Sequence, residues 1–327
     1  MRPTFVRNQI ADLNCFERHV GDLIGRIPKD GGTVDLQALL YMMTMDSATD
    51  FMFGHSTDML TTPSPEAREF TSTFEYITTR SAIRSRLGLL TFLDNDKKWD
   101  EGSRSSTASA TREQGGPGEG YVFLNEMMAQ PGMTPELRVE VEELQGSKPT
   151  WEEMKDMKYL NMVLKEGRFP NAARRSTRDT GAGFRVLTVA YLVLRLYPTV
   201  ATMSRGAARD TTLPVGGGPD GKSPVFIPKG TSFGHPVMFG DDRAWENAAL
   251  EPCADYCDCT RWDYIPFSGG PRICIGQQFA LTQMSYFVVR ILQTFKEISP
   301  RDDRPLQQTV GITTKLPNDV LLSFTPA

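Results

Sequence analysis

The residues whose types and spacing are suited to chemistry lie in one run, 267–276. It reads Phe-Ser-Gly-Gly-Pro-Arg-Ile-Cys-Ile-Gly and places the thiol of Cys274 near its end. A thiolate is a strong metal ligand. Its charge is stabilised at a helix N-terminus, where backbone N–H groups and the positive end of the helix dipole face it. Gly270 and Gly276 permit the tight turns that such a loop needs. The run predicts a thiolate held at the start of a helix.

The helix that positions this thiol is predicted directly after Gly276. Its apolar residues recur along one face for about four turns: they are Ala280, Met284, Phe287, Val288, Ile291, Leu292 and Phe295. The pattern therefore predicts an amphipathic helix packed against the core.

Further elements follow from apolar periodicity and turn residues. Helices are predicted around Phe16–Ile24 and over Asp35–Phe53, Val122–Leu144 and Trp151–Lys165. A β-hairpin with a glycine-rich tip is predicted over Thr211–Phe233, and short strands near Gln307–Thr314 and Val320–Phe324. The predicted fold class is mainly α with small β-sheets, in a single domain over 1–327. Residues 101–120 and 167–192 have no apolar periodicity, and we interpret them as irregular or aberrant segments.

Composition excludes several classes of protein. A net charge of −4 and a pI of about 5.6 argue against a nucleic-acid partner. No apolar run is long enough to span a bilayer, and the first residues resemble neither a signal peptide nor an anchor. Five cysteines without a secretory segment argue against a disulfide framework.

Two other motifs carry weaker hypotheses. Residues 216–223 match the phosphate-binding pattern G-x-x-x-x-G-K-S, but the residues that follow predict a strand, and a phosphate-binding loop leads into a helix. Cys253, Cys257 and Cys259 suggest zinc, although their spacing is unusual and thiols in an irregular segment are the favoured interpretation. His19 and His55 are predicted to be structural residues of helices, because the three histidines show no metal-ligand spacing.

The run 267–276, extended to Ala280, matches F-x-x-G-x-R-x-C-x-G-x-x-x-A, the cysteine-ligand loop of the cytochrome P-450 superfamily. Other stretches resemble the fungal alkane and fatty-acid hydroxylase branch of that superfamily. They include LYPTV (196–200), RDTTLPVGGGPDGKSPVFIPKGT (209–231), TMDSATDFMFG (44–54) and PTWEEMKDMKYLNMVLKE (149–166).

The resemblance implies a haem-dependent monooxygenase. Such an enzyme inserts one oxygen atom from O2 into a C–H bond of an apolar substrate, such as an alkane or fatty acid. Its electrons come from an NADPH-dependent reductase. By resemblance, segments around Thr199–Met203 and Gly311–Thr314 line the substrate channel. The family is typical of the endoplasmic reticulum membrane; no anchor is recognised here, and the alternative location is cytoplasmic.

The resemblance also assigns the cofactor site. Cys274 ligates the iron of haem b and is the catalytic and metal-binding residue. Arg272 pairs with a haem propionate, and Phe267 covers the sulfur. Gly270, Gly276 and Ala280 complete the cofactor-binding set.

The family's structural E-x-x-R pair is interrupted. Arg195 has Leu192 three residues before it, whereas Glu166 ends the upstream helix pattern. Removing 167–192 joins Glu166 to Val193-Leu194-Arg195 and restores the pair. We interpret 167–192 as a translated retained intron; the alternative is a genuine inserted loop.

The family's oxygen-activation sequence A-G-x-D/E-T-T is not recognisable in the chain. The sequence therefore also supports an incomplete cytochrome P-450-type fold, truncated at its N-terminus. The alternative to an active enzyme is a catalytically inactive or mis-spliced paralogue that lacks the oxygen-activation helix.

Overall fold

The structure is a computed structural model. It describes residues 10–11, 13–87, 96, 99, 135–165, 199–200, 202–236, 267–302, 304, 309–310 and 313–327. Glu166 and Arg195 lie outside these residues, as do the segments 101–120 and 167–192 and the cysteines 253, 257 and 259.

Helices and small sheets alternate along the described chain. The helices, α1 to α7 in order, are Asn14–Arg26, Leu36–Phe53, Pro65–Leu87, Pro135–Glu142, Trp151–Asp156, Lys158–Lys165 and Gln277–Thr294. The strands, β1 to β9, are Thr33–Asp35, Thr202–Gly206, Thr211–Gly217, Ser223–Ile227, Ser232–Pro236, Phe295–Pro300, Thr309–Val310, Thr314–Lys315 and Leu321–Pro326. This mixture of helices and small sheets agrees with the predicted fold class.

Helix α7 is the centre of the described core. It packs against α1, α4, α5 and α6. The predicted apolar face is buried from Met284 onward, but Phe279, Leu281, Thr282, Gln283, Tyr286 and Val289 are buried as well. The helix is therefore enclosed on most of its circumference rather than along one stripe, because neighbouring helices cover its polar side too.

A polar cluster joins α1 to α7. Glu17 on α1 accepts hydrogen bonds from the Tyr286 hydroxyl and the Arg290 guanidinium on α7, and Lys148 Nζ lies 2.9 Å from its carboxylate. Burial raises the pKa of Glu17, but hydrogen bonds from Tyr286 and Lys148 and the charge of Arg290 outweigh it, so this pKa is lowered. Burial, followed by the hydrogen bond to Glu17, raises the pKa of Tyr286. The cluster fixes the distance between the first and last described helices.

The C-terminal strand completes the core. β9 lies between β1 and β6 in an antiparallel sheet and pairs Val34 with Leu322 and Ile298 with Phe324. The sequence predicted β9 but neither of its partners. β1 is too short to show alternation, and β6 contains polar residues between its apolar ones.

The predicted hairpin over Thr211–Phe233 is only partly correct. β3 and β4 form the hairpin, whereas Ser232–Pro236 pairs with Thr202–Gly206 in a separate ladder. The chain thus makes two nested antiparallel pairs. The prediction was wrong about the outer pair because it did not recognise β2 as a strand.

Two helical predictions also need correction. The segment Trp151–Lys165 is two helices, broken at Met157, whose ψ of 107° is extended. The side-chain amide of Asn161 stabilises this break by donating to the carbonyls of Met154, Lys155 and Met157. His55 lies just beyond the end of α2 at Gly54, which is left-handed, and not within the helix.

None of the helices in the described part of the chain combines the length and the apolar character that crossing a lipid bilayer requires.

Candidate functional site

The thiol of Cys274 lies in a tight loop immediately before α7. Its backbone N–H donates to the Phe267 carbonyl at 2.9 Å, which closes the loop over residues 267–274. Gly270–Arg272 form a turn of 3-10 helix inside it. Cys274 is half-buried, Phe267 packs partly against the core, and Arg272 is exposed. The loop therefore holds the sulfur close to the protein surface on a closed backbone ring.

The start of α7 faces this loop, as the sequence predicted. Gly276 is the N-cap residue, so no side chain caps the first turn. The Gln277 N–H approaches the Cys274 carbonyl at 3.4 Å, and the Ala280 N–H donates to the Gly276 carbonyl at 2.9 Å. The N–H groups and positive dipole end of this first turn favour negative charge beside them. This geometry suits a thiolate at position 274.

The two predicted loop glycines have different roles. Gly270 has φ of 66°, a left-handed conformation that favours glycine. Gly276 lies in the turn before α7, as predicted, but its φ of −82° is one that any residue adopts, so the turn itself does not require glycine there. A Cβ at Gly276 would meet the Cys274 sulfur at 3.9 Å. Glycine at 276 instead leaves one side of the sulfur uncovered.

Sequence reasoning missed a contact that braces the loop. Ser268 adopts φ of 61°, unusual for a residue other than glycine, and its Oγ lies 3.4 Å from Arg205 Nη2 on β2. A serine in this position carries no sequence signal for left-handed backbone, and Arg205 is 63 residues away in the chain. The contact links the loop to the β2–β5 ladder.

Phe279 anchors the first turn of α7. Its ring centroid lies 5.1 Å from that of Phe16 on α1 and 4.6 Å from that of Phe51 on α2, both in tilted arrangements. Tilted aromatic pairs at these distances add favourable quadrupole contacts to burial. The orientation of the helix start, and with it the position of the sulfur, depends on this cluster of Phe16, Phe51 and Phe279.

The two segments expected to line a substrate channel touch each other. The Thr314 N–H donates to the Thr199 carbonyl at 2.7 Å, and both threonines are buried. Ala201, Gly311 and Ile312 lie outside the described residues. The geometry brings the described parts of the two segments together, as a shared channel requires.

The phosphate-binding pattern over 216–223 forms the tip of the β3–β4 hairpin. Ser223 begins β4, so a strand follows the pattern, as the sequence predicted, where a phosphate-binding loop needs a helix. This motif therefore does not contribute a nucleotide site.

Comparison with known proteins identifies the family. The model of the family Cytochrome P450 matches residues 193–322, a range that includes the whole loop. Cytochrome P450 monooxygenase FPY7 of Fusarium mangiferae is 29% identical over 394 aligned positions, covering 99% of this chain and 69% of the relative. Cytochrome P450 monooxygenase himC of Aspergillus japonicus is 30% identical, covering 98% of this chain and 64% of the relative.

A third relative has a slightly higher sequence identity to this chain than these two. Cytochrome P450 52A3-B of Candida maltosa is 31% identical, covering 99% of this chain and 71% of the relative. The chain spans about two thirds of the length of these relatives. The alignment with FPY7 has more positions than the 327 residues of the chain, so parts of that relative face gaps here. The match to the family model and these relatives show that the chain belongs to the cytochrome P450 family.

Proposed function

We propose that this chain is a haem-thiolate monooxygenase in which Cys274 is the proximal ligand to haem iron. The observation that carries the proposal is the position of the Cys274 thiol at the uncapped N-terminus of α7, within the residues that match the family model. The family resemblance supplies the proposed roles: Cys274 is the catalytic and metal-binding residue, and Phe267, Gly270, Arg272, Gly276 and Ala280 are the cofactor-binding residues.

The residues present fit haem b. Ile273 and Ile275 flank the thiol and are 52% and 44% exposed. Apolar side chains exposed on both sides of a ligating sulfur suit a flat, largely apolar macrocycle that would cover them. Arg272 is exposed on the same loop and supplies a cation for a propionate. A cysteine thiolate would hold the haem iron here, as it does in this family.

The protein's own contribution to the chemistry is positional. When bound, haem with a thiolate ligand supplies O2 activation, because the sulfur donates electron density that favours O–O cleavage. In the net reaction one oxygen atom enters a substrate C–H bond and the other leaves as water, with two electrons from a reductase that uses NADPH and two protons from solvent. Helix α7 stabilises the thiolate charge, and the closed loop over 267–274 fixes the sulfur in place.

The substrate proposed from the sequence resemblance is an alkane or fatty acid. The contact between Thr199 and Thr314 supports a channel built from those two segments. The partners are O2, the apolar substrate and an NADPH-dependent reductase. The proposed location is the endoplasmic reticulum membrane, as for the family.

The reduced, carbon monoxide-bound difference spectrum tests the proposal. Full-length protein supplied with haem should give the far red-shifted Soret band of a thiolate-ligated haem. Cys274→Ser should abolish that band, whereas Cys257→Ser should retain it. Absence of the band in the unmodified chain, or its retention in Cys274→Ser, would refute ligation by Cys274.

Substrate class is tested separately. Protein with a compatible reductase, NADPH and a saturated fatty acid should yield a product that contains one atom from isotopically labelled O2. The thiolate band without any such product would leave the haem site intact and refute the substrate proposal.

A further inference from the structure

A second cluster of metal-binding side chains lies between α1 and α2. Cys15 and His19 are four residues apart on α1, a spacing that places both side chains on one helix face. That face packs against α2, which carries Asp50. The Cys15 sulfur, a ring nitrogen of His19 and a carboxylate oxygen of Asp50 all lie within 4.8 Å of one another.

The distances approach those of a tetrahedral site. The Cys15 sulfur is 3.7 Å from Asp50 Oδ2, and His19 Nε2 is 3.0 Å from the same oxygen. Zinc bonds of about 2.3 Å to sulfur and about 2.0–2.2 Å to nitrogen and oxygen place tetrahedral ligands about 3.3–3.6 Å apart. The two contacts with Asp50 Oδ2 are thus within a few tenths of an ångström of those in a zinc site, and the Cys15 sulfur and the His19 nitrogen lie within 4.8 Å of each other.

The arrangement does not suit nucleophilic catalysis. In a cysteine–histidine–carboxylate triad the imidazole lies between the thiol and the carboxylate. Here the thiol and the imidazole both contact Asp50 Oδ2, so the carboxylate is in the middle. The sulfur, the ring nitrogen and the carboxylate oxygen are instead close enough together to bind one ion.

Charge and burial favour a divalent ion of intermediate softness. A thiolate and a carboxylate neutralise a dication, and sulfur, imidazole and carboxylate together suit zinc. His19 is 1% exposed, so its ring is held in place by the surrounding core. Asp50 is also approached by Arg18 Nη1 at 3.6 Å, but Arg18 is 56% exposed and has a second partner, Asp58, at 3.2 Å. If Asp50 binds a metal ion, Arg18 can therefore lose its contact with Asp50 and keep its ion pair with Asp58.

We propose that Cys15, His19 and Asp50 form a zinc site that fastens α1 to α2. The Cys15 thiol loses its proton to solvent on binding, and the fourth position is taken by water or by the Ser47 carbonyl oxygen, which lies 3.7 Å from the sulfur. The Ser47 hydroxyl also accepts a hydrogen bond from Gln283 on α7. Ser47 therefore connects the proposed zinc site to the helix that follows the Cys274 loop.

Zinc-edge X-ray absorption on the haem-supplied, full-length protein tests this site independently of the haem iron. After incubation with Zn2+ and dialysis, we expect one zinc per chain, with one sulfur neighbour at about 2.3 Å and nitrogen or oxygen neighbours at about 2.0–2.2 Å. Cys15→Ala should remove the sulfur neighbour and weaken zinc affinity about tenfold or more.

A matched control separates this site from the other cysteines. The triple variant Cys253→Ala, Cys257→Ala, Cys259→Ala should retain the zinc and its sulfur neighbour. Asp50→Asn provides a second variant with little change in shape and should weaken the affinity as well. Failure of the unmodified chain to retain zinc, a sulfur neighbour that persists in Cys15→Ala, or its loss in the triple variant would each overturn the proposal.

Discussion

Single buried polar residues determine the geometry of the N-terminal helices, and Asp46 is the clearest case. Its carboxylate, 1% exposed, accepts hydrogen bonds from the Thr57 hydroxyl and from the backbone N–H groups of Met59 and Leu60 at 2.7, 2.7 and 2.9 Å. One side chain thus satisfies three donors of the turn that follows α2. Buried donors without acceptors are costly, so the turn depends on this carboxylate.

We expect Asp46→Ala to destabilise the protein by about 1–3 kcal/mol, since it leaves the buried Leu60 N–H without its acceptor, whereas water can reach the half-buried donors of Thr57 and Met59. Urea unfolding followed by circular dichroism measures the change through its midpoint and slope. Asp156→Asn is the matched control, because Asp156 is exposed at the end of α5. Equal midpoints for Asp46→Ala and the unmodified protein would show that the turn does not need its acceptor.

At the residue scale, the sequence predicted those features of the site that belong to a local motif. It did not predict the features that arise from contacts between distant parts of the chain. The predicted helix does begin directly after Gly276, and Gly270, predicted to permit a tight turn, has a left-handed backbone, whereas the role of Cys274 as a ligand stays a prediction. Ser268 and its contact with Arg205 were missed, because nothing local marks a serine for positive φ. The role of Asp46 was missed because its hydrogen-bond partners, which follow α2 in the chain, become its neighbours only when the protein folds.

At the scale of elements, the first turn of α7 is the connection between the core and the Cys274 loop. Phe279→Ala should destabilise the protein by about 3–5 kcal/mol, because it opens a cavity between Phe16 and Phe51. We also expect fewer haems per chain, since the helix start would lose its anchor. Urea unfolding and haem content per chain measure the two effects.

Phe226→Ala is the control for the change at Phe279, because Phe226 is 63% exposed on β4. It should leave both quantities nearly unchanged. A full haem content in Phe279→Ala despite a lower unfolding midpoint would show that the loop holds its position without the aromatic cluster.

The carboxylate of Asp96, in the segment after helix α3, contacts two side chains of that helix. Asp96 accepts hydrogen bonds from the Tyr76 hydroxyl, from the Trp99 N–H at 3.1 Å and from Arg80 Nε at 2.6 Å. The hydrogen bond from Tyr76 is the largest cause, and with Trp99 and Arg80 it lowers the pKa of Asp96 from 3.8 to about 2. A carboxyl group whose pKa is lower in the folded than in the unfolded protein stabilises the fold at pH values above its unfolded-state pKa. This stabilisation is lost as the pH falls through the folded-state pKa.

The stabilising effect of Asp96 should therefore be complete above pH 3.8 and disappear as the pH falls toward about 2. Asp96→Asn should unfold at lower urea than the unmodified protein at neutral pH, and the two midpoints should converge over that acid range. Midpoints that differ equally at both ends of the range would contradict the linkage. Asp156→Asn again serves as the exposed control.

Elements with strong periodicity were predicted well, and short ones were not. The prediction over Asp35–Phe53 agrees with α2 at Leu36–Phe53, because Asp35 caps the helix through Gln37 N and left-handed Gly54 ends it. The break at Met157 was missed, since it is stabilised by side-chain amide contacts of Asn161 that no periodicity reveals. Local hydrogen bonds from a side chain to the backbone compete with the helical pattern at such positions.

On the scale of the whole molecule, the match to the family model bears on the interrupted E-x-x-R pair. The match begins at Val193, the first residue after the segment 167–192. Glu166 lies just before that segment. A retained intron between Glu166 and Val193 accounts for both observations, because its translation would separate the pair without resembling the family. The Gly167 codon should therefore be GGT, with GT at its second and third bases, and the Leu192 codon should end in A, so that the first base of the Val193 codon completes AG.

A variant lacking residues 167–192 tests this interpretation on the protein itself. It restores Glu166-Val193-Leu194-Arg195, which places the carboxylate and the guanidinium three residues apart on one helix face. We expect a higher yield of folded chain, more haem per chain and a larger carbon monoxide band than in the unmodified protein. Arg195→Ala within the shortened variant should remove the gain, whereas a separate deletion of 101–120 should not produce it. A lower haem content after removing 167–192 would instead make that segment a genuine inserted loop on which the fold depends.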